Sequence, residues 1–310
     1  MVTTSAPLFV SSGDLIADRR YKWAIDHARR GDLAGAADIL AQTVEMAPAF
    51  ATAWFALGAI RDTLGDRAGA VAAFTAARDA DPDDYHGARL HLARLGAGPA
   101  TPEMTAVYVR RLFDQHAPDF DVAMRERLEY RGPELLLEAV RAAAGEGMRF
   151  GTMLDLGCGS GLSGAAFRAC VDWLVGVDLS PAMIEVARAK GLYDRLVVDE
   201  IGAFLRGEAA NRAAYHLVLA ADVFVYCGDL SPIAAATAGI LAPGGLFAFT
   251  VETHDGAGVR LSETLRYAHS DDHVRAALGS AGLRVLALEA AATRSEKGVP
   301  VSGLLAVARR

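Results

Sequence analysis

Leu154-Asp155-Leu156-Gly157-Cys158-Gly159-Ser160-Gly161 is the stretch that decides the fold. The apolar run Thr152 to Leu156 ends in glycines at alternate positions. Such a run reads as a buried strand breaking into a tight turn, and the turn opens a helix over Leu162–Cys170. Glycines let the main chain approach a ligand closely, and the helix start presents free N–H groups to it. A second run, Trp173 to Val177, ends in Asp178. Together they predict a strand–helix–strand unit with a carboxylate at the tip of its second strand, placed to accept hydrogen bonds from two ribose hydroxyls. The pattern points to a nucleoside cofactor.

Dinucleotide sites use G-x-G-x-x-G after the strand. Here Leu162 stands where the third glycine of that spacing would fall, and Asp155 lies two residues before the first glycine. A carboxylate there is unsuited to a diphosphate but suits a ligand carrying its own ammonium. The pattern Asp155-x-Gly157-x-Gly159-x-Gly161 resembles the first motif of class I S-adenosylmethionine-dependent methyltransferases. The resemblance implies that Asp155, Gly157, Cys158, Gly159 and Gly161 cradle the methionine moiety and that Asp178 holds the ribose. It also implies that Leu179 and Met183, in Leu-Ser-x-x-Met, lie beside the adenine. Asp199 or Glu200, after the third strand, would meet the adenine amino group, and Ala221 would complete the cofactor set.

The rest of this half alternates strands with helices, as a parallel α/β sheet requires. Strands are expected at Arg195–Val198, His216–Ala220 and Leu246–Val251, the last introduced by the turn Ala242-Pro243-Gly244-Gly245. Leu283–Leu288 and Val301–Val307 would form a terminal antiparallel pair, with Glu296, Lys297 and Gly298 at the hairpin turn. The expected class is α/β, a Rossmann-like seven-stranded methyltransferase domain preceded by an all-α domain.

That all-α part is a repeat. Gly31-Asp32 recurs as Gly65-Asp66, Ala36 as Ala70 and Pro48 as Pro82. The interval of 34 is the tetratricopeptide period. Trp54, Leu57, Gly58, Ala70, Phe74, Ala77 and Pro82 fall on its pattern positions, and Tyr85–Leu95 would cap the exposed end. The expected layout is a flexible tail 1–18, two repeats with their cap over 19–96, a Gly/Pro-rich linker 97–106, and a catalytic domain 107–310. Within the last, 107–149 reads as a helical lid bearing Tyr108, Phe113, His116, Phe120 and Tyr130. Tyr108–Asp121, Leu128–Leu136 and Arg266–Ser270 resemble segments of a bacterial group of predicted methyltransferases with tetratricopeptide repeats. Fewer than three repeats cannot readily stand alone. The repeat block would therefore associate with a protein partner, with itself or with the catalytic domain.

The formal charge of −7 gives no basic footprint for nucleic acid. No run approaches the roughly 18 apolar residues of a membrane span, and the start lacks the basic residues of a signal peptide. Cys158, Cys170 and Cys227 show neither metal-ligand nor disulfide spacing, so a reduced, cytoplasmic setting is expected and no metal.

Methyl transfer from a sulfonium needs alignment and dryness more than acid–base power. A base is needed only for a protonated nucleophile. Candidates at the strand ends are Glu252 and His254, with Tyr267 and His269 in the segment after them. No Asn/Asp-Pro-Pro-aromatic or Pro-Cys motif occurs, which disfavours adenine, amide and C5-pyrimidine chemistry. The expected function is S-adenosylmethionine-dependent methylation of an O or N acceptor on a small molecule. The alternatives are a protein acceptor recruited by the repeats, or a non-catalytic binding scaffold.

Overall fold

The computed structural model describes residues 9–101, 103–145 and 147–310. Met1–Leu8 of the expected tail and Pro102 of the expected linker lie outside the described residues, as does Glu146 in the lid segment. The chain divides into two compact units, Met1–Tyr108 and Val109–Arg310.

The first unit is built of helices α1 (Leu15–Arg29), α2 (Leu33–Met46), α3 (Ala51–Thr63), α4 (Arg67–Ala80) and α5 (Ala88–Arg94). The period of the sequence reappears as geometry. Gly31 and Gly65 both take left-handed φ, +86° and +81°. The next residues, Asp32 and Asp66, each accept a hydrogen bond at 2.9 Å from the backbone N–H three residues on, capping α2 and α4. Small residues let the helices of a pair approach, and a Cβ at Gly58 would lie 2.8 Å from the Phe74 ring. Asp14 caps a helix that begins at Leu15, and Ser11 and Ser12 donate to Asp18. Phe9 packs on Tyr21 and Phe50. The cap helix is shorter than expected, starting at Ala88 after left-handed Gly87.

Helix α6 (Ala106–His116) spans the division between the units. Beyond it come a 3-10 turn, the single turn α7 (Phe120–Val122), a π-helical stretch Ala123–Arg127, and α8 (Gly132–Ala144). The lid segment is thus helical but broken, and π turns are frequent near functional sites.

The sheet follows with β1 (Phe150–Leu156), α9 (Leu162–Phe167), β2 (Val171–Asp178), α10 (Pro181–Ala189), β3 (Arg195–Val198), α11 (Ile201–Ala210), β4 (Tyr215–Ala220), α12 (Ser231–Ile240) and β5 (Leu241–Glu252). It continues through β6 (Val259–Leu261), β7 (Tyr267–His269), α13 (Asp271–Ser280), β8 (Arg284–Ala290), β9 (Ser295–Glu296), β10 (Val299–Pro300) and β11 (Gly303–Arg309). The main path runs β3-β2-β1-β4-β5-β11-β8, and β6 and β7 bring the sheet to nine strands. The expectation of seven missed those two, which are only three residues each and carry no periodic signal. The first five strands are parallel; β11 runs antiparallel between β5 and β8.

Alternation along β1 explains the layers. Leu154 and Leu156 enter a core with Phe204, Leu205, Val274 and Leu278, while Met153 enters another with Leu136, Val140 and Phe167. Asp155 lies on the Met153 side at the strand's end, because side chains alternate. The Pro-Gly-Gly turn is absorbed into β5 as an irregularity: Tyr215 pairs with Leu241 but Leu217 with Leu246, and Gly244 supplies φ +78°.

Candidate functional site

Where strand order reverses, between β1 and β4, the C-terminal strand ends leave a crevice that loops cannot fill; open α/β sheets bind ligands there. Three left-handed glycines, Gly157 (+63°), Gly159 (+51°) and Gly161 (+91°), carry the chain over it. A Cβ at Gly157 would lie 2.6 Å from Val223 Cγ2, so the loop after β4 presses directly on the glycine loop. Above Gly159 the space is open, and a Cβ would meet only Phe120 at 4.0 Å. Cys158 is buried, and its N–H donates to Val177 O at 3.0 Å, tying the loop to β2.

Asp178 sits at the tip of β2 as the spacing requires. Gly159 N–H donates to its Oδ2 and Ser180 N–H to its Oδ1, both at 2.8 Å. Burial raises its pKa; those two N–H groups work against the shift, and Asp114 adds to it. Asp155 is 1% exposed. Tyr193 donates its hydroxyl to Oδ2 at 2.6 Å, and Oδ1 is buried with no partner among the described residues. Burial pushes its pKa up to about 7, helped by the Asp178 charge and opposed by the Tyr193 hydrogen bond. Among the described residues no lysine or arginine forms an ion pair with Asp155 or Asp178. Two adjoining buried carboxylates without a cation are costly unless a ligand supplies positive charge or hydrogen-bond donors.

The remaining cofactor candidates fall on both sides of the crevice. Leu179 follows Asp178, and its carbonyl accepts from Arg110 Nε at 3.2 Å. Met183 is fully buried in α10 beside Ile184 and Ala187. Sequence left Asp199 and Glu200 as alternatives. Glu200 is the N-cap of α11, with its carboxylate accepting from Gly202 N and Ala203 N at 2.8 and 2.7 Å. Asp199 accepts from the Glu200 N–H at 2.8 Å, and its own N–H donates to Asp178 O at 3.1 Å. Ala221, half-buried, leads into the loop that abuts Gly157.

The lid segment reaches the same rim. Asp114 accepts from Ser180 Oγ, and Asp121 accepts from Ser160 Oγ in the glycine loop and from Lys190 Nζ at 2.5 Å. Burial alone would raise Asp121, but Lys190 and Ser160 hold it below the usual carboxylate range. Phe113 meets Tyr226 edge-on at 5.3 Å. The half-buried Tyr130 lies in the fields of Asp222, Asp155 and Arg294, and burial holds its hydroxyl well above the usual phenol range.

Beside the crevice, at the ends of β4 and β5, is a charge network; sequence reasoning named Glu252 but missed the arginine that joins it to Asp222 and Glu296. Arg294 is 5% exposed. It donates to Asp222 Oδ2 at 3.0 Å, to Glu252 Oε1, and to Glu296 Oε1 at 3.3 Å. Arg266 donates to Glu296 Oε1 at 2.5 Å and stands 3.6 Å from Glu252 Oε1. Burial would raise Glu296, but the two arginines hold it low. Asp222 takes φ +55°, a left-handed conformation that costs a non-glycine residue of order 1–3 kcal/mol. Hydrogen bonds with Thr250 and Thr293 hold it there.

Of the candidate acid–base residues, Glu252 belongs to this network. His254 spends its ring on its own loop, Nδ1 accepting from Gly256 N at 3.0 Å and Nε2 facing Gly258 O at 3.3 Å. His269 is fully buried, with Nε2 against Cys227 O at 2.9 Å and Gly228 O at 3.2 Å. Burial lowers its pKa to about 4, so the ring is neutral and Nδ1 keeps its lone pair without a partner. Tyr267 is 1% exposed, and burial raises its pKa to about 12. The structure therefore gives His254 and His269 local work in holding loops. Lys297 and Gly298, both at left-handed φ, make the two-residue turn between β9 and β10.

The crevice lies in a stretch of the chain that is similar to known methyltransferase domains. Residues 154–247 match the family described as "Methyltransferase domain". The chain is 36% identical over 111 residues to human Methyltransferase-like protein 27, covering 36% of this chain and 44% of that one. It is 29% identical over 150 residues to Ubiquinone biosynthesis O-methyltransferase of Xylella fastidiosa, covering 47% and 56%. The chain thus spans about half the length of these relatives. Among solved structures it resembles the cyclase SpnF, with a TM-score of 0.51 and 15% identity over 68% of this chain and 97% of that one. That likeness concerns the fold.

The residues fit the cofactor. The unpartnered Asp155 oxygen suits its ammonium, the open space over Gly159 its tail, and Asp178 its ribose.

Proposed function

We propose that the chain methylates an O or N acceptor on a small molecule, using S-adenosylmethionine. The carrying observation is the pair of buried carboxylates, Asp155 and Asp178, flanking a glycine loop with no ion pair to a lysine or arginine among the described residues. When bound, the cofactor supplies a methyl group on a good, positively charged leaving group. The chain's own task is to bind, orient and keep dry. Asp178 grips ribose hydroxyls with the lone pairs not taken by Gly159 and Ser180. Asp199, with Glu200 committed to its cap, is the residue for the adenine amino group. Asp114 and Asp121 pin the lid to the rim and exclude water, and Phe113 and Phe120 give it an apolar lining.

The acceptor side is the ends of β4 and β5, where Glu252, held by Arg294 and Arg266, is the group for orienting an acceptor hydroxyl or amine. An anionic acceptor would have to displace one of three carboxylates from two arginines. Likeness to an O-methyltransferase of quinone biosynthesis favours a small acceptor. The repeated hairpins of the first unit support a tetratricopeptide reading, with a partner protein or a second copy as its ligand. Under the alternative in which that unit recruits the substrate, the acceptor is a protein side chain.

Calorimetry with S-adenosylmethionine, S-adenosylhomocysteine and NAD tests the cofactor reading. Tight binding of the first two is expected, and NAD binding alone would reverse it. Release of S-adenosylhomocysteine with a panel of phenols and amines tests the acceptor. Turnover confined to intact proteins would move the reading to the protein acceptor.

A further inference from the structure

Tyr193 lies in the turn before β3 and carries no sequence signal. Its ring occupies a slot made by three glycines, two of them one helical turn apart and the third in β2. A Cβ at Gly161 would lie 3.0 Å from it, at Gly164 2.6 Å, and at Gly176 2.8 Å. Two of these glycines, Gly164 in α9 and Gly176 in the middle of β2, are not at positive φ, so it is the space and not the backbone that excludes a side chain. The slot delivers the hydroxyl to Asp155 Oδ2 at 2.6 Å. Asp155 Oδ1 is left buried and unpartnered.

Resting on the cofactor reading above, we propose that Tyr193 is a positioning residue: by fixing one oxygen of Asp155 it holds the other toward the ammonium of the bound cofactor. The titratable groups facing Asp155 are Tyr193, Asp178 on β2, Cys158 in the glycine loop and Tyr130 from the segment before α8; none is a cation. A ligand's ammonium is therefore the charge that ionises Asp155, and its binding expels the proton that burial otherwise retains. The sign follows: affinity for an ammonium-bearing nucleoside rises as pH rises through about 7, then levels off. The Tyr193 hydroxyl favours the carboxylate, so its loss moves that midpoint upward.

The test is calorimetric titration of the full chain with S-adenosylhomocysteine from about pH 5.5 to 8.5, bracketing the Asp155 transition. Tyr193→Phe keeps the ring in its slot and removes only the hydrogen bond. Wild type, Tyr193→Phe, Asp155→Asn and the double variant form a cycle. The expected result is about a tenfold loss for Tyr193→Phe with a midpoint at higher pH. In the Asp155→Asn background the further loss should be under about twofold and the pH dependence absent. An equal loss in both backgrounds, or no pH dependence near 7 in wild type, would overturn the proposal, leaving Tyr193 as packing. Absence of any binding by wild type is a separate outcome: it would remove the cofactor reading itself.

Discussion

The two ends of the crevice are built by different means. The β1–β2 end is made largely of main chain: a glycine loop, N–H groups aimed at Asp178, and one buried acid. The β4–β5 end is made of side chains, with Arg294 joining three carboxylates from different segments. Backbone sites are short in sequence and conformationally specific, because left-handed φ selects glycine. Side-chain networks draw on distant segments and leave no local pattern. Under the proposed function the cofactor falls at the legible end and the acceptor at the illegible one.

The largest effect that would sharpen this contrast is at Arg294. Replacing it with Met leaves Asp222 without its cation and Glu252 with only the more distant Arg266. Urea unfolding should show a loss of about 3–5 kcal/mol. The folded fraction should still bind S-adenosylhomocysteine within a few-fold of wild type. A large loss of cofactor affinity would show that the two ends are not separable.

Asp178→Ala should do the reverse. Cofactor affinity should fall about a hundredfold or more, since two ribose hydrogen bonds to a charged group are lost. Stability should fall by about 1–3 kcal/mol, because the Gly159 and Ser180 N–H groups lose their acceptor.

Asp155→Asn breaks the comparison along the pH axis. In the folded protein without ligand, Asp155 has its pKa raised to about 7 from 3.8. A raised carboxyl favours the protonated state, so its contribution to stability is fully present below pH 3.8 and is lost as pH rises through about 7. The neutral Asn should therefore melt several degrees higher than wild type at pH 8 and no higher at pH 4. Equal melting at both values would mean Asp155 is not buried without a counter-charge.

The smallest effects separate neighbours. Glu200→Ala removes a helix cap and should cost about 1 kcal/mol of stability with unchanged cofactor affinity. Asp199→Ala should weaken adenosine binding several-fold and leave the unfolding midpoint in place.

Legibility follows the same divide. Asp155, the three glycines and Asp178 were readable because one strand–loop–helix–strand unit carries them all. The 34-residue period was readable because Asp32 and Asp66 cap the same turn in successive hairpins. Tyr193 was not, being 38 residues from Asp155 and recognised only by the slot three glycines leave for it. Arg294, 72 residues from Asp222, sits in a loop whose pattern says only that a hairpin follows. His269 stood out in sequence as unexplained polarity before a helix cap; its ring in fact holds the Cys227–Gly228 carbonyls from within the core.

The cofactor site is tested most sharply by calorimetric titration of S-adenosylmethionine, and separately of NAD, into wild type and Asp178→Ala. Saturable binding of S-adenosylmethionine to wild type, lost in the variant and not matched by NAD, is the predicted result. Binding that survives the substitution, or that occurs only with NAD, would contradict it.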